Sequence, residues 1–252
     1  PRWFLAHLPA DSSIEFEVLA LSMVGLTVAG PHARDVLQQL TDTSLASNDF
    51  PFMAFRKVDL GMAPVWLSRM TYSGDLGYEI WVQPEYQRYL FDLIWEAGQQ
   101  FGIGLFGFRA LITMRLEKNF GTWFREYRPI YTPLEAGMDR VLKFDHEFIG
   151  RDAVEAEIAG GGPKRKLVMF RVEVDPEAPA DVIGDEPVWH CGPDGDAVVG
   201  WITSGGYAHY SGVSLALGYI PADLATDGTA FEIEIIARRR PATLQHAPVP
   251  DP

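Results

Sequence analysis

The sequence predicts two structural parts: an α/β or α+β layer through residue 160, then an all-β region built as a small barrel or sandwich. Three observations lead there. Period-two alternation and helical spacing take turns along the chain as far as Glu117, the pattern of strands layered with helices. Gly160-Gly161-Gly162-Pro163 then breaks the composition as a flexible linker. Beyond it only short alternating segments recur, separated by turn residues. The boundary is placed near Gly161, dividing 1–160 from 161–252, with no internal repeat.

Each element follows from its local pattern. Val24, Leu26 and Val28 alternate with smaller residues and run into Ala29-Gly30-Pro31, a strand entering a tight turn. Pro31 suits a helix start, and Ala33, Val36, Leu37 and Leu40 fall at helical spacing. Residues 41–52 are polar and Pro-containing, a loop. Two strands between Phe55 and Met70 turn at Gly61-Met62-Ala63-Pro64, and a third covers Tyr78 to Val82. Glu85–Phe101 is an amphipathic helix, and Phe106–Glu117 a second one. In the last part, alternation marks strands around Val168–Val172, Val198–Ile202, Leu215–Tyr219 and Phe231–Ile235. Turns fall at Pro193-Asp194-Gly195, Gly205-Gly206 and Thr226-Asp227-Gly228.

Composition narrows the function. The 252 residues are 47% hydrophobic and carry a formal net charge of −13. That balance disfavours non-specific binding to nucleic acid or anionic membrane. No apolar run is long enough to span a bilayer, so a soluble intracellular protein is expected. Cys191 is the single cysteine, which rules out an intramolecular disulfide, and the six histidines have no ligand spacing. P-loop, G-x-S-x-G and H-E-x-x-H signatures do not occur.

Three local sequences remain as candidates. In Arg69 to Ile80, two glycines permit a tight turn that delivers Glu79 into an apolar strand. Alternation alone is equally satisfied by a Glu79 that faces solvent. Arg115, in Met114-Arg115-Leu116-Glu117-Lys118, reads either as a surface charge or as the partner of a distant acid. Gly200 to Tyr207 is a strand running into a glycine turn, either a plain hairpin or a backbone that a ligand approaches closely.

Together these residues resemble a known family. Tyr72-Ser73-Gly74-Asp75-Leu76-Gly77-Tyr78-Glu79-Ile80 is similar to the Y-[TS]-G-[ED]-x-G-x-E-[IL] element of the glycine-cleavage T-protein (aminomethyltransferase) family. Met114 to Lys118 resembles its L-R-L-E segment, Tyr131 to Gly137 its T-P-x-E-A-G stretch, and Phe148 to Arg151 its F-I-G-[KR] element. Gly184-Asp185-Glu186-Pro187 and Thr203-Ser204-Gly205 match landmarks of its C-terminal barrel. Six motifs in the family's order cover nearly the whole chain. Leu116-Glu117-Lys118, residues 41–52 and 93–98, the opening Arg2-Trp3-Phe4 and Gly30 to Arg34 look most like the branch fused to dimethylglycine and sarcosine dehydrogenase-like flavoproteins.

The resemblance implies an α+β fold: partial folate-binding lobes, an antiparallel sheet with helices, followed by a small C-terminal β-barrel. It implies that tetrahydrofolate is bound in a central cavity, its pterin held by Glu79, with Tyr72 lining the cavity. Arg115 would order that cavity by pairing with an acid, or face the anionic glutamate tail of folate. The implied reaction captures the carbon of an oxidised N-methyl amine as 5,10-methylenetetrahydrofolate. The amine is oxidised by a flavin (FAD) domain on the same or another polypeptide. The family's catalytic Asp lies in an upstream G-G-x-x-D-D-like segment that these residues do not contain, so no catalytic residue is assigned. The opening Pro1-Arg2-Trp3-Phe4 reads as the start of a piece of something longer, inactive alone. A stand-alone aminomethyltransferase, a folate-dependent demethylase and a non-catalytic folate-binding module are the alternatives. Bacterial cytoplasm or mitochondrial matrix is the expected location.

Overall fold

A computed structural model describes residues 1–193, 195–246 and 248. The chain forms two compact units, Pro1–Leu105 and Phe106–Pro252. No helix among the described residues is long and apolar enough to cross a membrane.

The first unit contains α1 (Arg2–Ala6), β1 (Val24–Ala29), α2 (Ala33–Gln38), β2 (Phe55–Leu60), β3 (Ala63–Ser68), β4 (Gly77–Val82) and α3 (Gln87–Gly98). Its strands make one antiparallel sheet in the order β1-β4-β3-β2. Side chains alternate across the sheet, so Val58, Leu60, Val65, Leu67, Tyr78, Ile80 and Val82 all point to one face. That face is the core, closed by Val36 and Leu37 of α2 and Leu90 and Ile94 of α3. Gly61 turns the β2–β3 hairpin at φ +57°, and a Cβ there would meet Leu93 at 2.8 Å. The helix expected over Glu85–Phe101 is α-helical only from Gln87 to Gly98, with 3-10 turns at Pro84–Tyr86 and Gln99–Phe101. Pro84 fixes the first turn, and at the far end Gly98 leaves space that the Ile103 side chain fills.

The second unit contains α4 (Phe108–Glu117), α5 (Arg151–Ala159), β5 (Arg165–Val172), β6 (Pro187–Gly192), β7 (Gly195–Ala208), β8 (Val213–Pro221), β9 (Phe231–Ile235) and β10 (Arg238–Gln245). Six antiparallel strands close into a barrel, β10-β5-β8-β7-β6-β9, which decides between the two architectures left open by the pattern of strands. Phe170, Val188, Ile202, Ala216, Phe231 and Ile233 fill its interior. The α5 helix and strands β6 and β10 go beyond the elements the sequence pattern marks. Of the expected turn at Pro193-Asp194-Gly195, Asp194 lies outside the described residues.

The compact division at Leu105 and the linker at Gly160–Pro163 are different features. Residues 106–160 pack in the barrel's unit: Leu167 donates its backbone N–H to Glu135 O at 2.8 Å, and Tyr219 its hydroxyl to Glu126 O at 2.8 Å.

Candidate functional site

The sheet of the first unit has a second face, opposite its core. Tyr78 and Ile80 are fully buried in the core, so their neighbour Glu79 must point the other way. There Glu79 lies between Thr27 of β1 and Ser68 of β3, in a cross-strand row that ends at Phe55 of β2. The next row on this face is Gly25, Trp81, Trp66 and Lys57. Glu79 is half-buried, and among the described residues its carboxylate has no hydrogen-bond or ion-pair partner. Phe55 stacks on Trp66 with ring centroids 4.9 Å apart and an interplanar angle of 2°. Trp81 lies over Gly25, where a Cβ would come within 3.2 Å of its ring. The result is a carboxylate acceptor set among exposed aromatic surface.

The turn that presents Glu79 is tightly specified. Gly74 has φ +91°, and Thr71 and Ser73 share a 3.0 Å hydroxyl hydrogen bond. A Cβ at Gly77 would meet Thr71 Cβ at 2.8 Å, so the strand enters only through glycine. Leu76 O accepts from Gly30 N at 2.8 Å, anchoring the turn to the β1–α2 corner. Tyr72 sits within this turn, half-buried.

The second unit holds a polar centre. Arg115, on the last turn of α4, is 1% exposed and Glu126 is fully buried. Arg115 Nη1 donates to Phe120 O at 2.7 Å and to Glu126 Oε2 at 3.4 Å, and its Nη2 donates to Ser204 Oγ at 2.6 Å. Ser204 in turn donates to Glu126 Oε1. Thr122 adds its backbone N–H at 2.7 Å and its hydroxyl at 2.9 Å to Glu126 Oε2. Of the two roles open to Arg115, the geometry is that of pairing with an acid. Sequence reading missed that acid, Glu126, because no motif marks it.

The barrel landmarks meet at the same place. A bulge between Ile202 and Ser204 lets Thr203 donate to Leu217 O at 3.0 Å while Ser204 reaches the ion pair. Gly205 passes so close to Val182 that a Cβ would lie 2.6 Å from its Cγ1. Glu186 accepts the backbone N–H groups of Ile183 and Gly184, each at 2.8 Å, and Asp185 and Ile202 are joined backbone to backbone at 2.7 Å. The T-S-G and G-x-E-P sequences are therefore one joint. Glu117 closes it on the other side, accepting from Ser211 Oγ at 2.5 Å.

On the barrel's outside, Cys191, Asp196 and Glu232 cluster closely enough to share a cation. Arg239 already bonds Asp196 at 2.6 Å and lies 3.6 Å from Glu232. Burial and the two neighbouring carboxylates push the Cys191 thiol up, away from the thiolate.

Comparison with known proteins agrees with this architecture. Residues 1–146 match the GCVT N-terminal domain, and residues 165–251 the glycine cleavage T-protein C-terminal barrel domain. The mitochondrial dimethylglycine dehydrogenase of Rattus norvegicus is 38% identical over 98% of this chain and 28% of its own length. An aminomethyltransferase of Synechocystis is 31% identical over 93% of this chain and 59% of its own. The crystal structure of aminomethyltransferase T from Bartonella henselae superposes with a TM-score of 0.75 at 22% identity, over 90% of this chain and 60% of that one. The chain thus spans between about a quarter and three fifths of these relatives.

Proposed function

The chain belongs to the glycine cleavage T-protein family, and from that premise we propose that it supplies the pterin-recognising face of a folate-dependent one-carbon transferase. The observation that carries the reading is the unpartnered Glu79 carboxylate on an aromatic sheet face. A reduced pterin presents an amino group beside a ring N–H. A carboxylate accepts such a pair side by side, as it accepts a guanidinium. A ring without that donor pair leaves Glu79 unsatisfied, which gives selectivity as well as affinity. The Trp and Phe rings supply apolar surface for the rest of the ligand.

Within this reading, Tyr72 lines the folate cavity, and the glycine turn that carries it presents Glu79. Arg115 acts as a positioning residue, fixing α4 to the barrel through Glu126 and Ser204. Bound tetrahydrofolate supplies the nucleophilic nitrogen that accepts the one-carbon unit. These residues hold and orient it, a contribution of proximity and orientation. The carbon comes from an N-methyl amine, dimethylglycine or sarcosine, oxidised in a flavin domain outside these residues.

The test is single-turnover formation of 5,10-methylenetetrahydrofolate by the full-length protein with tetrahydrofolate. Dimethylglycine or sarcosine should serve as donor and an aminomethyl-lipoyl carrier should not. The reverse preference would establish a stand-alone aminomethyltransferase, and folate binding without turnover a non-catalytic module.

A further inference from the structure

The outside of the barrel carries a separate set of polar groups, at the end of β5. Phe170 and Val172 point into the barrel core, so Arg171 between them faces outward, flanked by Thr243 of β10 and Leu215 of β8. Glu173 follows, its backbone N–H donating to Pro241 O at 2.9 Å, and it stands roughly 7 Å beyond Arg171 at the usual strand rise. Both line a cleft of about 520 Å³, together with Ser214, Thr243, Val174 and Pro241. Small-ligand sites typically measure about 300–1,000 Å³. The side chains of Arg171 and Glu173 make no hydrogen bond or ion pair with each other or with any other described residue. Neighbouring arginines differ: Arg165 binds Glu135, Arg238 binds Asp175 and Arg239 binds Asp196. Ser214 is only 6% exposed, and its hydroxyl also lacks a partner among the described residues while keeping contact with solvent. Hydroxyls this deep are ordinarily bonded, so Ser214 marks a place for an incoming polar group.

We propose that this cleft binds a small zwitterion, an α-amino acid with an aliphatic side chain. Arg171 takes the carboxylate through its fork of N–H donors, and Glu173 takes the ammonium. Ser214 and Thr243 add hydroxyl donors, while Val174 and Pro241 form an apolar wall for the side chain. The two unpaired charges decide the class. A ligand with only a carboxylate is repelled by Glu173, and one with only an ammonium is repelled by Arg171. A molecule bearing both signs is attracted by both. The same pairing disfavours a phosphate or a polyanion. Arg171 and Glu173 are solvent-exposed, so each contributes modestly and less as salt rises. The cleft lies wholly within the second unit, on residues the folate reading does not use, so it stands or falls independently of that reading.

The experiment is calorimetry on the full-length protein at low salt, comparing L-valine with its two half-molecules. Isovalerate lacks the amine, and isobutylamine lacks the carboxylate. L-Valine should bind saturably and more tightly than either half. Arg171→Gln and Glu173→Gln should each weaken L-valine about fivefold, the upper scale of an exposed ion pair. The half-molecules separate a charge effect from a structural one. Glu173→Gln should tighten isovalerate and Arg171→Gln should tighten isobutylamine, changes that damage to the fold would not produce. Melting curves of both variants should match the parent, because neither side chain bonds a described residue. Absence of saturable L-valine binding to the parent, or unchanged affinity in both variants, overturns the proposal. Isovalerate binding as tightly as L-valine would make the cleft a plain anion site and overturn the zwitterion class.

Discussion

Arg115 donates a 2.6 Å hydrogen bond to Ser204, a residue 89 positions away in the chain. The contact joins the end of α4 to the bulge of the longest barrel strand, and Glu126 is bonded to both residues. A buried ion pair of this kind earns little net stability, but losing one member strands the other charge without water. The centre is better understood as a device of alignment: the helix, the loop carrying Glu126 and the barrel have one relative arrangement that joins Arg115, Glu126 and Ser204, even though Arg115 Nε is left buried without a hydrogen-bond partner among the described residues.

Glu126→Ala is therefore expected to destabilise the protein by about 3–5 kcal/mol, the cost of breaking a buried pair from one side. Replacing both charges, as in Arg115→Met with Glu126→Leu, should cost clearly less than the two single changes added together. Urea unfolding of the four proteins measures this. Additive losses would mean that the two side chains are not coupled.

Much of the first unit was legible in the sequence because its signals are local. The alternation Tyr78-Glu79-Ile80 already assigns Glu79 to the face away from the core, and the glycines at 74 and 77 announce the turn before it. What alternation does not disclose is what stands beside Glu79, since Ser68 and Thr27 arrive by strand pairing. Glu126 escaped for a related reason: besides the nearby Thr122, its partners Arg115 and Ser204 lie 11 and 78 positions away. Strand β10 was hidden by composition. Arg238, Arg239, Arg240 and Pro241 read as solvent, yet Arg240 is buried, giving its N–H groups to Ala180 O at 2.9 Å and Ala178 O at 2.5 Å. Helix α5 buries Val154 alone, too narrow a stripe to register as an amphipathic period.

Glu79→Ala should weaken tetrahydrofolate binding by about 2–4 kcal/mol, the loss on removing one partner of a desolvated charged pair. Thermal stability should barely move, because Glu79 has no partner among the described residues. Calorimetry with a melting curve on the same sample separates the two quantities. A large fall in melting temperature with unchanged affinity would make Glu79 a structural residue.

Alkaline pH provides a probe of the barrel side. Burial, followed by the neighbouring Tyr131, Glu135 and Glu126, raises the Tyr219 hydroxyl well above its ordinary value of 10. The folded state thus holds that proton more tightly than the unfolded chain does. The associated stability is fully present below pH 10, where both states are protonated, and is lost as pH climbs above it. Urea unfolding from pH 8 to 11.5 should show a decline above pH 10 that is shallower in Tyr219→Phe. Tyr219→Phe should also lose about 1 kcal/mol at pH 8 with its hydrogen bond to Glu126 O. Parallel pH curves for the two proteins would contradict the assignment.

The linker at Gly160–Pro163 and the compact division at Leu105 make a joint prediction about proteolysis. Gly161 and Gly162 both have positive φ, and a Cβ at either would meet nothing within 4 Å, so a protease can reach this stretch without disturbing packed side chains. A broad-specificity protease should cut there first, separating 1–160 from the barrel strands in covalent terms. The pieces should nevertheless stay together in native buffer. Thr132 donates to Glu157 at 2.9 Å on one side of the cut, while Arg165 bonds Glu135 at 3.1 Å and Arg115 bonds Ser204 across it. Two bands on a denaturing gel but one peak in size exclusion is the expected result. First cleavage elsewhere, with 160–163 resistant, would show that the linker is not the most accessible stretch of the chain. Separation of the fragments under native conditions would instead show that the Arg115–Glu126–Ser204 centre does not hold α4 to the barrel.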